Sequence, residues 1–103
     1  MKNLTQDQWK EALDSDQNAQ ILDVRTEEEF IEGYIPNAKN IDIYKGQEFL
    51  DDINKLDKSK NYYVYCRSGA RSAQACALMN ENGIENAYNL MGGITDWEGD
   101  IKK

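Results

Sequence analysis

Residues 61–72 read NYYVYCRSGARS: an aromatic and apolar run typical of a strand, a cysteine, and then a segment typical of a helix. A thiol at such a junction faces the free N–H groups of the first helical turn and the positive end of the helix dipole. Both favour the thiolate form of Cys66, which is the nucleophile. Arg67 and Arg71 add positive charge nearby, and Gly69 lets the backbone turn where a side chain would clash. The stretch therefore predicts a reactive sulfur inside a cup of hydrogen-bond donors.

Strand-like and helix-like segments alternate on both sides of this stretch. Thr5 with Gln8 forms a capping-box pattern at the start of the first helix, and Thr26 can cap the second. The predicted strands are residues 21–24, 39–43, 61–65 and 85–90, and the predicted helices run to about Ser15 and over 27–32, 47–56 and 71–82, with a last one around Ile94 and Trp97. This alternation predicts a parallel α/β sheet covered on both faces. Right-handed crossovers put the carboxyl ends of the strands on one edge, so we expect Cys66 at the mouth of a loop there.

Length and charge narrow the class of protein. The 103 residues suit one domain, and 19 acidic against 12 basic residues give a net charge of −7. That balance argues against nucleic acid or an anionic membrane surface as a partner. No apolar run approaches the ~18 residues that cross a bilayer, and the polar start of the chain does not resemble a signal peptide. We therefore expect a cytoplasmic protein, and a monomer, because no long apolar stripe calls for a partner.

Two cysteines and no histidine limit the chemistry further. They exclude a metal site built on Cys and His spacing as well as a Cys–His dyad, and no cofactor is predicted. Activation of Cys66 must then come from backbone amides and arginine. Cys76 lies on the following helix, where a disulfide with Cys66 has poor geometry, so we interpret it as a small buried hydrophobe rather than a redox partner.

Three ordered motifs resemble the rhodanese family. Residues 21–30 (ILDVRTEEEF) and 33–38 (GYIPNA) resemble its N-terminal signature, residues 66–72 resemble its active-site loop, and Gly92-Gly93-Ile94 with Trp97 resembles its C-terminal signature. The resemblance covers about residues 4–99, which leaves residues 1–3 and 100–103 as short tails. It implies an α/β, rhodanese-like single domain with a five-stranded parallel sheet flanked by helices on both faces. The family usually has histidine where Tyr34 stands, a change expected to affect loop packing or acceptor preference rather than the chemistry.

The resemblance also implies a reaction. The chain is expected to be a sulfurtransferase that moves a sulfane sulfur from a donor such as thiosulfate to a thiol or cyanide, through a persulfide on Cys66. One alternative is a sulfur-carrier or regulatory module that serves a partner protein. Another is a phosphatase or arsenate reductase that uses the same thiolate. Related phosphatases place five residues between the cysteine and an arginine, whereas four separate Cys66 from Arg71, and Ser72 takes the phosphatase arginine's position. The smaller cup favours a persulfide sulfur over a phosphoryl group.

Each residue of the candidate site has an expected role. The expected partners are a small anionic sulfur donor and a thiol acceptor, with a sulfur-relay protein as a further candidate. Cys66 is the predicted nucleophile, although a merely buried thiol is the alternative. The donor is expected to bind the N–H groups and side chains of Arg67, Ser68, Gly69, Ala70, Arg71 and Ser72. Guanidinium groups match the donor's sulfonate oxygens, but Arg67 could point into solvent and Arg71 could pair with an acidic neighbour. Asp23 is expected either to position the loop or to cap its own turn, and Arg25 to pair with Glu29.

Overall fold

The computed structural model describes residues 2–103 as one five-stranded parallel sheet with helices on both faces. The strands are β1 (Lys2–Leu4), β2 (Ala19–Asp23), β3 (Ala38–Asn40), β4 (Asn61–Tyr65) and β5 (Ala87–Leu90), and the helices are α1 (Gln6–Asp14), α2 (Glu27–Glu32), α3 (Gln47–Asn54) and α4 (Ala70–Glu81). Short 3-10 turns cover Ile43–Lys45 and Ile94–Asp96. The sheet order is β1-β5-β4-β2-β3, so β4, the strand that directly precedes Cys66, lies in the centre. The predicted fold class is confirmed.

Local signals in the sequence start the first two helices. The Thr5 side chain accepts the N–H of Gln8, and the Gln8 side chain accepts the N–H of Thr5. Thr26 and Glu29 make the same reciprocal pair at the start of α2. Each pair satisfies N–H groups that the first helical turn would otherwise leave without acceptors. Both predicted caps are confirmed.

Two apolar clusters fill the two faces of the sheet. Period-two alternation sends Leu22, Tyr62 and Val64 toward α3 and α4, and sends Ile21, Tyr63 and Tyr65 toward the α1 side. The first cluster takes in Phe49, Ile53, Cys76 and Met79, while the second is built around Trp9, whose ring meets Tyr63, Tyr65 and Trp97 edge-on. Burial on both faces is what a central parallel strand requires.

Besides the shorter bounds of β3, β5 and α3, four details differ from the sequence-based expectation. Strand β1 was not predicted, because three residues without clear alternation carry no readable period; its Lys2 and Asn3 belong to the sheet rather than to a tail. At the other end, the backbone of Lys102 exchanges two hydrogen bonds with that of Tyr34. The last helix shrinks to the 3-10 turn at Ile94–Asp96. The buried residues of α4 are Ser72, Ala75, Cys76 and Met79. Helical spacing in the sequence predicts a different face, formed by Ala73, Cys76, Ala77 and Asn80 and broadened by Leu78 and Met79. Among the described residues, no helix is long and apolar enough to span a membrane.

Candidate active site

The sulfur of Cys66 lies at the end of β4, against the first turn of α4. The N–H of Gly69 donates to Cys66 Sγ over 3.1 Å, and the Ser72 hydroxyl lies 3.3 Å from the same atom. Gly69 adopts a positive φ of 105°, which lets the loop turn back so that its N–H points at the sulfur. Cys66 is only 1% exposed, so it does not lie at an open loop mouth as expected. Burial alone would suit an inert thiol, but an apolar packing site does not supply hydrogen-bond donors.

Those donors decide the charge state of Cys66. Burial by itself raises the pKa of the thiol, because a charged sulfur loses water. Hydrogen bonds from the Ser72 hydroxyl and from the backbone of Ser72, Gly69 and Ser68 outweigh burial, so the pKa falls below its ordinary value. The structure thus brings the amides of three predicted loop residues to the sulfur. Ala70 and Arg71 begin α4, where their N–H groups contribute to the positive end of the helix.

A buried polar network continues from Ser72 into the sheet. The Ser72 hydroxyl also contacts the carbonyl of Gly69, at 3.2 Å, and the side-chain oxygen of Asn89. The amide nitrogen of Asn89 donates to Asn3 Oδ1 over 2.8 Å and to the Gly69 carbonyl over 3.2 Å. The sequence analysis did not single out Asn89, although a polar residue between Tyr88 and Leu90 in a buried strand is a signal that could have found it.

Arg71 is held by an acidic neighbour, which was the alternative left open for it. Its two terminal nitrogens donate to the two carboxylate oxygens of Glu29 over 2.8 and 3.0 Å. The guanidinium also lies over the ring of Tyr44, 5.4 Å from its centre. Hydrogen bonds from Arg71 and, to a smaller extent, from Thr26 lower the pKa of Glu29 to about 2. The expected ion pair between Arg25 and Glu29 is therefore wrong, because Glu29 faces Arg71 across the loop.

Arg67 is exposed, and within residues 2–103 no hydrogen bond or ion pair holds its guanidinium. It lines a shallow cavity of about 300 Å³ with Glu29, Thr95 and Ile101. The guanidinium of this loop residue is thus available to an anion, whereas that of Arg71 is engaged by Glu29.

Residues of the C-terminal motif, around Gly93 and Ile94, hydrogen-bond the backbone of the active-site loop. The N–H groups of Ile94 and Thr95 donate to the carbonyls of Cys66 and Arg67, each over 3.0 Å. Gly93 approaches the loop so closely that a Cβ atom there would lie 2.4 Å from the Arg67 carbonyl oxygen, and its φ is +60°. Only glycine fits this crossing. The motif thus orients the loop carbonyls away from the sulfur.

Asp23 caps its own turn, which was one of its two expected roles. Its carboxylate accepts the N–H of Arg25 over 2.9 Å and pairs with the Arg25 guanidinium over 2.7 Å, entirely buried. The same guanidinium donates to the carbonyl of Gly33 over 2.6 Å. The hydroxyl of Tyr65 accepts the N–H of Ile35 over 3.0 Å, and burial together with the nearby Asp23 carboxylate raises the pKa of Tyr65. The link of Asp23 to the loop therefore runs through the residue that precedes Cys66, not through direct contact.

Comparison with known proteins agrees with this geometry. The sequence matches the family described as "Rhodanese-like domain" over residues 5–100. The chain belongs to the rhodanese-like family. It is 35% identical over 102 residues to the YtwF protein of Bacillus subtilis, covering 99% of this chain and 95% of the relative. It is 36% identical over 77 residues to a sulfurtransferase of Allochromatium vinosum, covering 75% and 69% of the two chains.

A solved structure and longer relatives extend the comparison. A rhodanese-like domain protein from Staphylococcus aureus superposes with a TM-score of 0.81 at 42% identity, covering 97% of this chain and 93% of that one. A tRNA uridine(34) hydroxylase of Pelagibacter ubique is 32% identical over 95 residues, but the match covers only 31% of its length. The family is one of sulfurtransferase-type domains, and this fold also occurs as part of larger proteins.

Two further residues of this rhodanese-like domain make no hydrogen bond to the sulfur of Cys66 among residues 2–103. Tyr34, at the position where the family usually has histidine, stacks on Phe30 with ring centres 4.2 Å apart. Cys76 is fully buried and free, as is Cys66, and burial raises the pKa of Cys76 to about 12. The second cysteine thus behaves as the predicted buried hydrophobe.

Proposed function

We propose that the protein transfers a sulfane sulfur through a persulfide on Cys66. One observation carries the proposal: the Ser72 hydroxyl lies 3.3 Å and the Gly69 amide 3.1 Å from the buried sulfur, and hydrogen bonds from the Ser72 hydroxyl and the loop backbone lower the pKa of its thiol. A thiolate held by fixed amides can attack a sulfur atom and can also leave from one, as both halves of a transfer require. Membership of a family of sulfurtransferase-type domains supports the same reaction.

The chemistry is a double displacement. The Cys66 thiolate attacks the outer sulfur of thiosulfate, the sulfur–sulfur bond breaks, and sulfite leaves with the electron pair. An acceptor thiolate, or cyanide in an assay, then attacks the terminal sulfur of the Cys66 persulfide. The bond between the two sulfurs breaks, the acceptor keeps the transferred sulfur, and Cys66 returns to the thiolate. The loop amides stabilise the negative charge that returns to the Cys66 sulfur in the second step.

Arg67 is the best candidate to bind the sulfonate oxygens of the donor. Its guanidinium is exposed at the cavity beside the loop, whereas both terminal nitrogens of Arg71 already bind Glu29. Arg71 then contributes long-range positive charge and holds the start of α4. Because Cys66 is 1% exposed, a donor reaches the sulfur only after side chains around the loop move.

Mass spectrometry of the intact protein tests the proposal. After treatment with thiosulfate and removal of excess donor, we expect the wild-type protein to gain the mass of one sulfur atom on the peptide that contains Cys66. Cyanide should remove that mass and release thiocyanate. Cys66→Ser should show neither event, and the matched variant Cys76→Ser should behave as wild type. A gain that persists in Cys66→Ser, or that is lost in Cys76→Ser, would contradict the assignment.

A second candidate function is that of a sulfur carrier for a partner protein. The burial of Cys66 and the pairing of Arg71 with Glu29 favour it, because both weaken the case for fast turnover of a small dianion. A cysteine desulfurase is the donor that distinguishes the two. Sulfur loading from the desulfurase together with no thiocyanate production from thiosulfate would favour the carrier.

Phosphatase or arsenate reductase activity has less support. The position that carries an arginine in the related phosphatase loops is Ser72, whose hydroxyl is buried against the sulfur and the Gly69 carbonyl. No guanidinium from that position can reach a phosphoryl group. Hydrolysis of an aryl phosphate that disappears in Cys66→Ser would reverse this ranking.

A further inference from the structure

The hydroxyl of Ser72 has more acceptors than it can serve. A serine hydroxyl carries one proton, yet Cys66 Sγ, the Gly69 carbonyl and the Asn89 side-chain oxygen all lie within hydrogen-bond distance of it. Ser72 is fully buried and Asn89 is 3% exposed, so water does not satisfy whichever acceptor is left out. The Gly69 carbonyl already accepts the N–H of Ala73 and the amide of Asn89. The Cys66 sulfur and the side-chain oxygen of Asn89 therefore compete for the hydroxyl proton of Ser72.

The orientation of Asn89 decides which of its atoms faces Ser72. Its amide nitrogen is committed to Asn3 Oδ1 and the Gly69 carbonyl, both acceptors, so the oxygen must point at the hydroxyl. An oxygen in that position can only accept a proton from Ser72. Asn89 thus draws the hydroxyl proton away from the sulfur.

We propose that Asn89 is a positioning residue that sets the charge state of Cys66 through the hydroxyl of Ser72. While Cys66 is a thiol, the hydroxyl donates to Asn89 and its oxygen accepts the S–H of Cys66. When the thiol gives its proton to water, the hydroxyl rotates and donates to the negatively charged sulfur. The Asn89 oxygen then loses its donor. Asn89 therefore stabilises the thiol, and Ser72 stabilises the thiolate.

Other titratable groups are electrostatically coupled to the same sulfur. Among the described residues, electrostatic coupling links Cys66 to Arg71, on the first turn of α4, and to the buried thiol of Cys76 on the next turns. Glu29 balances the charge of Arg71, and Tyr44 lies against that guanidinium. None of these groups contacts Asn89 or the hydroxyl of Ser72. A substitution at Asn89 leaves their charges unchanged.

The test is the pH dependence of Cys66 alkylation by iodoacetamide in a Cys76→Ser background. It reports on the thiol directly, so its outcome is separable from that of the sulfur-transfer proposal on which this inference rests. Ser72→Ala should slow alkylation at neutral pH about tenfold, because the thiolate loses a hydrogen bond. Asn89→Leu should accelerate it about threefold, because the hydroxyl is free to serve the sulfur. A slower rate in Ser72→Ala and a faster rate in Asn89→Leu would together indicate that the sulfur and Asn89 compete for the hydroxyl proton of Ser72.

The double variant decides whether Asn89 acts through Ser72. In a Ser72→Ala background, Asn89→Leu should leave alkylation unchanged, since no hydroxyl remains to be released. Asn3→Ala removes one acceptor of the Asn89 amide nitrogen, but the Gly69 carbonyl still holds that nitrogen, so the Asn89 oxygen keeps facing Ser72. This variant should be alkylated at the wild-type rate. Asn89→Ala gives a second measurement should Asn89→Leu fail to fold. Slower alkylation in the Asn89 variants, or an equal effect with and without Ser72, would overturn the proposal.

Discussion

Replacing Glu29 by glutamine tests the ion pair that holds Arg71 at the edge of the site. Arg71, with a smaller contribution from the N–H and hydroxyl of Thr26, lowers the pKa of Glu29 from its ordinary value of 4.5 to about 2. A difference of that size corresponds to about 3 kcal/mol, and because the Arg71 and Glu29 side chains are 18% and 23% exposed, solvent screening reduces the expected contribution to about 2 kcal/mol. Glu29→Gln should lower the free energy of unfolding at pH 7 by about that amount.

The stabilisation by the ion pair between Glu29 and Arg71 should decrease as the pH falls. Folding depresses the pKa of Glu29, so the ion pair stabilises the protein fully above pH 4.5 and loses its effect as the pH falls toward 2. The difference between wild type and Glu29→Gln should therefore be nearly constant from pH 7 to about pH 5, fall to less than half at about pH 3, and be largely gone at about pH 2. Urea unfolding followed by circular dichroism measures it across that range.

Glu28→Gln is the matched control. It removes the same charge from the neighbouring position, but Glu28 is exposed, and glutamine at position 29 can keep the capping box with Thr26. The control should change the stability by less than about 0.5 kcal/mol at every pH. Equal losses in the two variants, or a Glu29→Gln loss that does not shrink with acid, would refute the ion pair as the cause.

Three further predictions concern the loop and its surroundings. Gly93→Ala should destabilise the fold by at least about 2 kcal/mol in urea unfolding, since its Cβ would lie 2.4 Å from the Arg67 carbonyl oxygen at a φ of +60°; a wild-type midpoint would mean that the turn can move aside. Arg67→Ala should raise the KM for thiosulfate about tenfold without changing the unfolding midpoint, and Arg67→Lys should fall between the two, in steady-state thiocyanate assays; an unchanged KM would remove Arg67 from the donor site. A thiol-reactive disulfide reagent should modify Cys66 at least about a hundredfold faster than Cys76, because burial raises the pKa of Cys76 to about 12; equal rates followed by absorbance would contradict that ranking.

Local patterns predicted most of the elements that build the site. The strand over residues 61–65 and the helix from 27 to 32 have the predicted bounds, and α4 begins one residue before its predicted start. Thr5 and Thr26 cap their helices as their spacing indicates. These features depend on hydrogen bonds between residues a few positions apart, and the spacing of such residues can be seen in the sequence.

Long-range pairing could not be predicted in the same way. The sequence offers Glu29 a partner four residues earlier, Arg25, but that arginine precedes the N-cap of α2 and its side chain turns to Asp23 instead. Asn89 reaches Ser72 only because β5 lies beside β4 in the sheet, and Asn3 reaches Asn89 only because β1 adds to the edge. Such contacts follow from strand order, which the spacing of residues along the chain does not contain.

Strand order also explains how the two loop arginines come to differ. Arg67 and Arg71 carry the same side chain and lie four residues apart. Because α2 follows β2, the direct neighbour of β4, it brings Glu29 within reach of Arg71. One carboxylate then neutralises one guanidinium and leaves Arg67 exposed at the cavity. The positive field around the sulfur is consequently smaller than two arginines suggest, in a chain whose net charge is −7. The thiolate must therefore depend chiefly on the Ser72 hydroxyl and the oriented amides of Ser68, Gly69 and Ser72, which act at short range and are little affected by the charge of the whole molecule.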